Sequence, residues 1–208
     1  MDRSPSIDTL PFLRSRKSTG KKSTPEPEPE STLFPDSKSY RLPYECKVTF
    51  DGKNPVTGER KKELEYEPLL SYTSPHLKTY LPGKDLLKAE GKLIKFSGGY
   101  TYLSMLFHWN AKNPQNAYGR LKAKGAIRFQ LTSDKSITLY NNKESLWQKN
   151  DDQISHSMQA SFLLHQKQVK LLEKYPIMKL TVYWERGFEE YPIYPITIFM
   201  NQLKCLEQ

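Results

Sequence analysis

Gly98-Gly99-Tyr100-Thr101-Tyr102-Leu103-Ser104-Met105-Leu106-Phe107-His108-Trp109 decides how the rest of this sequence is read. On an extended chain side chains alternate between faces. Thr101, Leu103, Met105, Phe107 and Trp109 then share one side, and Tyr100, Tyr102, Ser104, Leu106 and His108 the other. The first side is nearly all apolar and the second is mixed and aromatic, which suits a central strand covered on both sides. A helix fits worse, because apolar groups would surround it and it would begin on a glycine pair that breaks regular structure.

Working outward, residues 91–97 form a strand hairpinned through Gly98-Gly99, and Asn110 to Gly119 is a polar surface loop. Ala126 to Thr132 alternates Ile127, Phe129 and Leu131 with polar neighbours. Ser133-Asp134-Lys135 then turns the chain into Ile137 to Tyr140. After a polar loop over Asn141 to Asp152, residues 154–162 alternate again, with Ile154, His156, Met158, Ala160 and Phe162 on one side. The period then changes to helical over His165 to Tyr175 and returns to two over Ile177 to Glu185, where Leu180, Val182 and Trp184 share a face. Arg186-Gly187 turns this strand into Phe188 to Tyr194. A last amphipathic helix puts Ile196, Phe199, Met200, Leu203 and Leu206 on one stripe, and Cys205 opposite it.

Upstream, Cys46, Val48 and Phe50 alternate with polar residues and lead into the turn-rich Asp51 to Gly58. Residues 59–67 read as one exposed strand whose charges protect a sheet edge. Ser74-Pro75 opens one or two helical turns. Roughly eight or nine short strands joined by hairpin-length turns predict an antiparallel β-sandwich or a partly open barrel. It would carry one short inserted helix and a C-terminal amphipathic helix. This domain occupies residues 41–208.

Residues 1–40 are rich in Ser, Thr and Pro and are expected to be a disordered tail. They contain an apolar and basic segment of Ile7, Leu10, Phe12, Leu13, Arg14, Arg16 and Lys17, which has the make-up of a short docking peptide. They hold seven Lys and Arg against six Asp and Glu, leaving 25 against 17 of the chain's 32 and 23 to residues 41–208. The net charge of +9 therefore resides almost wholly in the folded part, a mild bias toward acidic partners.

No run approaches the ~20 apolar residues that span a bilayer, and the N-terminus lacks a secretory pattern. A cytoplasmic protein is expected, with Cys46 and Cys205 as free thiols. The spacing of His76, His108, His156 and His165 does not suggest a metal site, and neither phosphate-loop nor dinucleotide glycine patterns occur. The sequence calls for no cofactor. Adjacent carboxylates such as Glu189-Glu190 point to opposite sides of an extended chain and make no acid/base couple. The expected function is a non-enzymatic interaction module, tethered to a protein assembly through Ile7 to Lys17. The alternative is a basic β-barrel that binds single-stranded nucleic acid through Lys92, Lys95, Lys122, Lys124 and Arg128.

Overall fold

The structure, a computed structural model, describes residues 44–208 apart from Val56, Pro82 and Gln153. The expected tail and its docking segment lie outside the described residues. The strands are β1 (Val48–Lys53), β2 (Arg60–Leu64), β3 (Glu67–Tyr72), β4 (Leu87–Phe96), β5 (Thr101–Trp109) and β6 (Ala126–Leu131). They continue with β7 (Ser136–Tyr140), β8 (Trp147–Lys149), β9 (His156–Leu164), β10 (Ile177–Trp184) and β11 (Gly187–Pro192). A 3₁₀ turn covers Pro75–Tyr80, and the helices are α1 (Gln115–Tyr118), α2 (Gln166–Lys174) and α3 (Ile198–Glu207).

Two antiparallel sheets result. The larger runs β1-β2-β4-β5-β9-β8, with β3 also paired to β4, and the smaller runs β11-β10-β6-β7. β5 is central as expected, paired along its length with β4 and β9. The predicted β-sandwich is therefore the observed architecture. The sheets meet at one corner, where a bridge joins Asn141 to Phe162. Leu103, Met105, Phe107 and Trp109 are fully buried, as are Ile127, Phe129, Leu180 and Val182 of the smaller sheet. Phe107 and Trp109 meet Trp184 edge to face, with ring centroids 5.2 and 5.5 Å apart.

The opposite side of β5 departs from expectation. Of its side chains there, Ser104 is buried, Tyr102, Leu106 and His108 are half-buried, and Tyr100 is exposed. The second sheet covers one face of the strand, so the aromatic second face borders solvent.

The charged stretch 59–67 is also not the single edge strand expected from its composition. It splits into β2 and the start of β3, which occupy successive parts of the same edge of β4, while β1 forms the outer edge. Glu63 pairs with Ile94 and Glu67 with Gly91, so three residues on one side face two on the other. The peptide groups of β4 in this gap are satisfied by the side chain of Gln202 from α3. Its Oε1 accepts from Leu93 N–H (2.9 Å), and its Nε2 donates to Gly91 C=O (3.2 Å) and to Glu67 Oε1 (2.8 Å). Gln202 is fully buried. A side-chain amide presents the same donor and acceptor as a peptide, so it replaces the missing stretch of neighbouring strand.

Helix α3 is buried on more than the expected stripe. Phe199, Leu203 and Leu206 are buried as predicted, but so are Ile198, Gln202 and Cys205, whereas Ile196 is exposed. The helix wedges between the layers: Phe199 meets Phe129 at 5.6 Å and lies where a Cβ on Gly91 would come within 3.2 Å. Cys205 is not turned to solvent. It forms a disulfide with Cys46, with Cα atoms 5.6 Å apart, which overturns the expectation of two free thiols. The link closes a loop of 159 residues and on chain-entropy grounds contributes on the order of 5 kcal/mol.

Gln202→Leu, which strands Leu93 N–H and Gly91 C=O, should cost about 1–3 kcal/mol in denaturant unfolding without changing the native circular dichroism spectrum. Reduction of Cys46–Cys205 should lower the melting temperature of the wild-type chain and leave that of a Cys46→Ser/Cys205→Ser variant unmoved.

Candidate functional site

Two clefts meet at the closed end of the β4–β5 hairpin. Phe96 N–H donates to Tyr100 C=O (2.9 Å) and Gly99 N–H to Phe96 C=O (3.0 Å), with Gly99 at φ +82°, a left-handed conformation suited to glycine. On one side the cross-strand row Asp51–Lys62–Lys95 places two lysines directly opposite each other. Like charges so placed repel unless a counter-charge intervenes. Asp51 is engaged by Arg60 at 3.2 Å, and among the described residues Lys62 and Lys95 pair with no carboxylate. They line a cleft of about 310 Å³ together with Arg60, Ser97 and the end of α3.

On the other side, Ile94, Phe96, Tyr100 and Tyr102 line a cleft of about 490 Å³ with Glu59 on its border. Its floor is polar: Tyr66 Oη and Ser104 Oγ share a hydrogen bond of 2.7 Å, and Gln159 Nε2 donates to both, at 3.0 and 3.1 Å. Phe96 borders both clefts and meets Tyr102 edge to face at 5.5 Å.

A second surface is the outer face of the smaller sheet. Its cross-strand rows are Glu190–Thr181–Arg128–Thr138 and Pro192–Lys179–Gln130–Ser136. Next to them Phe188 lies opposite Tyr183, with ring centroids 6.0 Å apart, and Tyr140 opposite Ala126. Phe188 is 65% exposed, Tyr140 60% and Tyr183 40%. An ion pair of 2.8 Å between Lys179 and Glu190 crosses the polar rows.

The five cations picked out from the sequence do not gather on one surface. Lys95 belongs to the cationic cleft. Lys92 points to the other face of β4, paired with Glu63 and with its ammonium 4.2 Å from the centre of the Tyr66 ring. Lys122 is matched by Glu185 at 2.8 Å, beside a similar pair of Arg120 and Glu144 at 2.9 Å. Lys124 sits in a turn at φ +63°, and Arg128 is on the smaller sheet. Lys62 was missed because it lies within a charged run that resembles a protected edge, and strand register alone brings it to Lys95.

Buried histidine and aromatic groups serve packing. His156 is buried, and its Nδ1 is 3.0 Å from Ala111 C=O, as expected of a core histidine. Trp109 packs against Trp147 (4.6 Å) and Tyr118 (5.6 Å). The Tyr118 hydroxyl is pushed up to about 12 by burial and then by the charge of Glu189, so it stays neutral at physiological pH. Glu189 accepts a hydrogen bond from Tyr191, while Glu190 faces outward to Lys179, the opposed directions foreseen for adjacent carboxylates. Among the described residues no His, Cys, Asp and Glu cluster could hold a metal ion. No protein-family model matches this chain, and no curated protein or solved structure is significantly similar to it.

Glu63 sits between Lys92 and Lys61, the latter at 2.7 Å. Partial burial raises its pKa, but hydrogen bonds from the two lysines and their charges outweigh this and hold it below the usual carboxylate range. A depressed native pKa stabilises the fold above the unfolded carboxylate value, and that stabilisation is lost as pH falls through the native one. Glu63→Gln should lower the melting temperature at neutral pH and flatten its decline on acidification.

Proposed function

We propose that this protein is a non-enzymatic interaction module that docks a protein partner on the outer face of its four-stranded sheet. In this proposal the N-terminal segment with Ile7, Leu10, Phe12, Leu13, Arg14, Arg16 and Lys17 is a second, tethering contact. The observation that carries the reading is the row of exposed aromatic side chains Phe188, Tyr183 and Tyr140 beside Arg128. Large rigid aromatics and arginine are the residue types that dominate binding energy at protein interfaces. An open antiparallel sheet normally turns polar side chains to solvent, so aromatics exposed to this degree call for a functional reason. The rows Glu190–Thr181–Arg128–Thr138 and Pro192–Lys179–Gln130–Ser136 would form the polar rim of such an interface.

The cytoplasmic setting expected from the sequence sits against the Cys46–Cys205 disulfide, because glutathione keeps most cytosolic thiols reduced. Rapid alkylation of intact cells should therefore recover the two cysteines as the disulfide, in an oxidising compartment; trapping both as thiols would contradict this.

The tether and the docking face are tested together by affinity capture from nuclease-treated native extract. Phe12→Ala/Leu13→Ala and, separately, Phe188→Ser should each reduce recovery of the same protein by about tenfold while leaving the melting temperature unchanged. Undiminished recovery with both variants would refute the reading.

A further inference from the structure

We infer that the closed end of the β4–β5 hairpin binds a single strand of nucleic acid, with a phosphate between Lys62 and Lys95 and bases in the adjoining aromatic cleft. The surface is separate from the protein-docking face, and the inference does not depend on that face. Its first support is the uncompensated pair. Lys62 and Lys95 are direct cross-strand neighbours, both half-buried, in a cleft whose one carboxylate side chain, Asp51, is already held by Arg60. Two lysines that strand register sets side by side in a concave site form a receptor for an anion, and a phosphodiester brings two acceptor oxygens.

The second support is what lies next to the charge. Phe96 borders the cationic cleft and the aromatic one, and Tyr100 at the hairpin tip is 57% exposed, so its ring is open to a flat partner. The two clefts open on opposite faces of β4 and meet round the end of the hairpin, so a strand crossing that end passes a cationic groove and then aromatic rings, the pairing that holds single strands because each nucleotide repeats a charge and a stacking face. The hydroxyls of Tyr66 and Ser104 and the amide of Gln159 place hydrogen-bonding groups on the floor, where a base edge would arrive. Glu59 borders the aromatic cleft and repels phosphate there, which directs the backbone to the Lys62 side and the bases to the Tyr100 side. A lipid headgroup or a lone phosphate would use the lysines and leave the rings unused.

The test uses the full chain, a short fluorescent oligothymidylate and anisotropy titrations over a series of salt concentrations. Wild-type affinity should fall linearly in log–log form. Lys62→Gln/Lys95→Gln should weaken binding about tenfold and reduce the slope by roughly 1.4, for two phosphate contacts on a single strand. Tyr100→Ala should weaken binding about fivefold or more with the slope unchanged, the signature of lost stacking. Lys143→Gln/Lys167→Gln, which removes two exposed cations elsewhere, should change neither. Basic residues in the first 43 positions contribute equally to every variant and cancel in the comparison. Thermal melts confirm that each variant is folded.

Absence of binding at low salt would overturn the inference, as would equal losses from the Lys143/Lys167 variant. Phosphatidylserine vesicles form a separate arm: sedimentation with vesicles that depends on Lys62 and Lys95, alongside oligonucleotide binding that does not, would assign the cleft to a lipid surface and also overturn it.

Discussion

The amide of Gln202 holds together the weakest point of the larger sheet. A ten-residue strand, β4, is paired on one edge by two shorter strands that leave a gap, and the exposed peptide groups inside a sheet must be satisfied or the ladder opens. Gln202 supplies the missing donor and acceptor from α3, and the contacts on the same helix follow from that position. Phe199 fills the recess left by Gly91, and Cys205 reaches Cys46 just before β1. The closed end of the β4–β5 hairpin is thereby fixed against the last residues of the chain, Leu206 and Gln208, which border the cationic cleft.

Because the sandwich buries one face of each sheet, it leaves two outer faces of different chemistry. The larger sheet turns out Ile94, Phe96 and Tyr102 around a hydrogen-bonded polar floor, while Lys62 and Lys95 lie on the other face of the same strands beside the end of α3. The smaller sheet turns out an aromatic row beside a band of mixed charge. Under the two proposals made above, such a division would let one small domain hold two partners at once, since occupation of one face would leave the other free. The rigid part of each surface is backbone-paired strand, which places its side chains at low entropic cost.

The pattern of period two was enough to locate the strands that bury a single face. Met158, Ala160 and Phe162, or Leu180, Val182 and Trp184, alternate without interruption, and α2 stands out because the period changes at His165 and stops at Pro176. Alternation failed where the backbone departs from it. Leu69 and Leu70 are adjacent and both buried, because the register of β3 shifts between Pro68 and Leu70, so this strand shows no alternation and only its first residue, Glu67, fell within the stretch read as a strand. The second buried face of α3 was hidden because its key members are polar or sulfur-bearing, Gln202 and Cys205. Trp147 gave no local signal; it is placed by its indole N–H donating to Gly119 C=O at 2.7 Å, across 28 residues. The cationic cleft could not be foreseen either, since Lys62 and Lys95 become neighbours through strand register alone.

The central claim is that the aromatic face of the smaller sheet receives a protein. A photo-crosslinking phenylalanine analogue at position 188, compared with the same analogue at Lys167 on the exposed side of α2, tests it most directly in nuclease-treated native extract. The account predicts one dominant protein adduct at position 188 and none at position 167. Equal labelling at the two positions, or no adduct at 188, would contradict it.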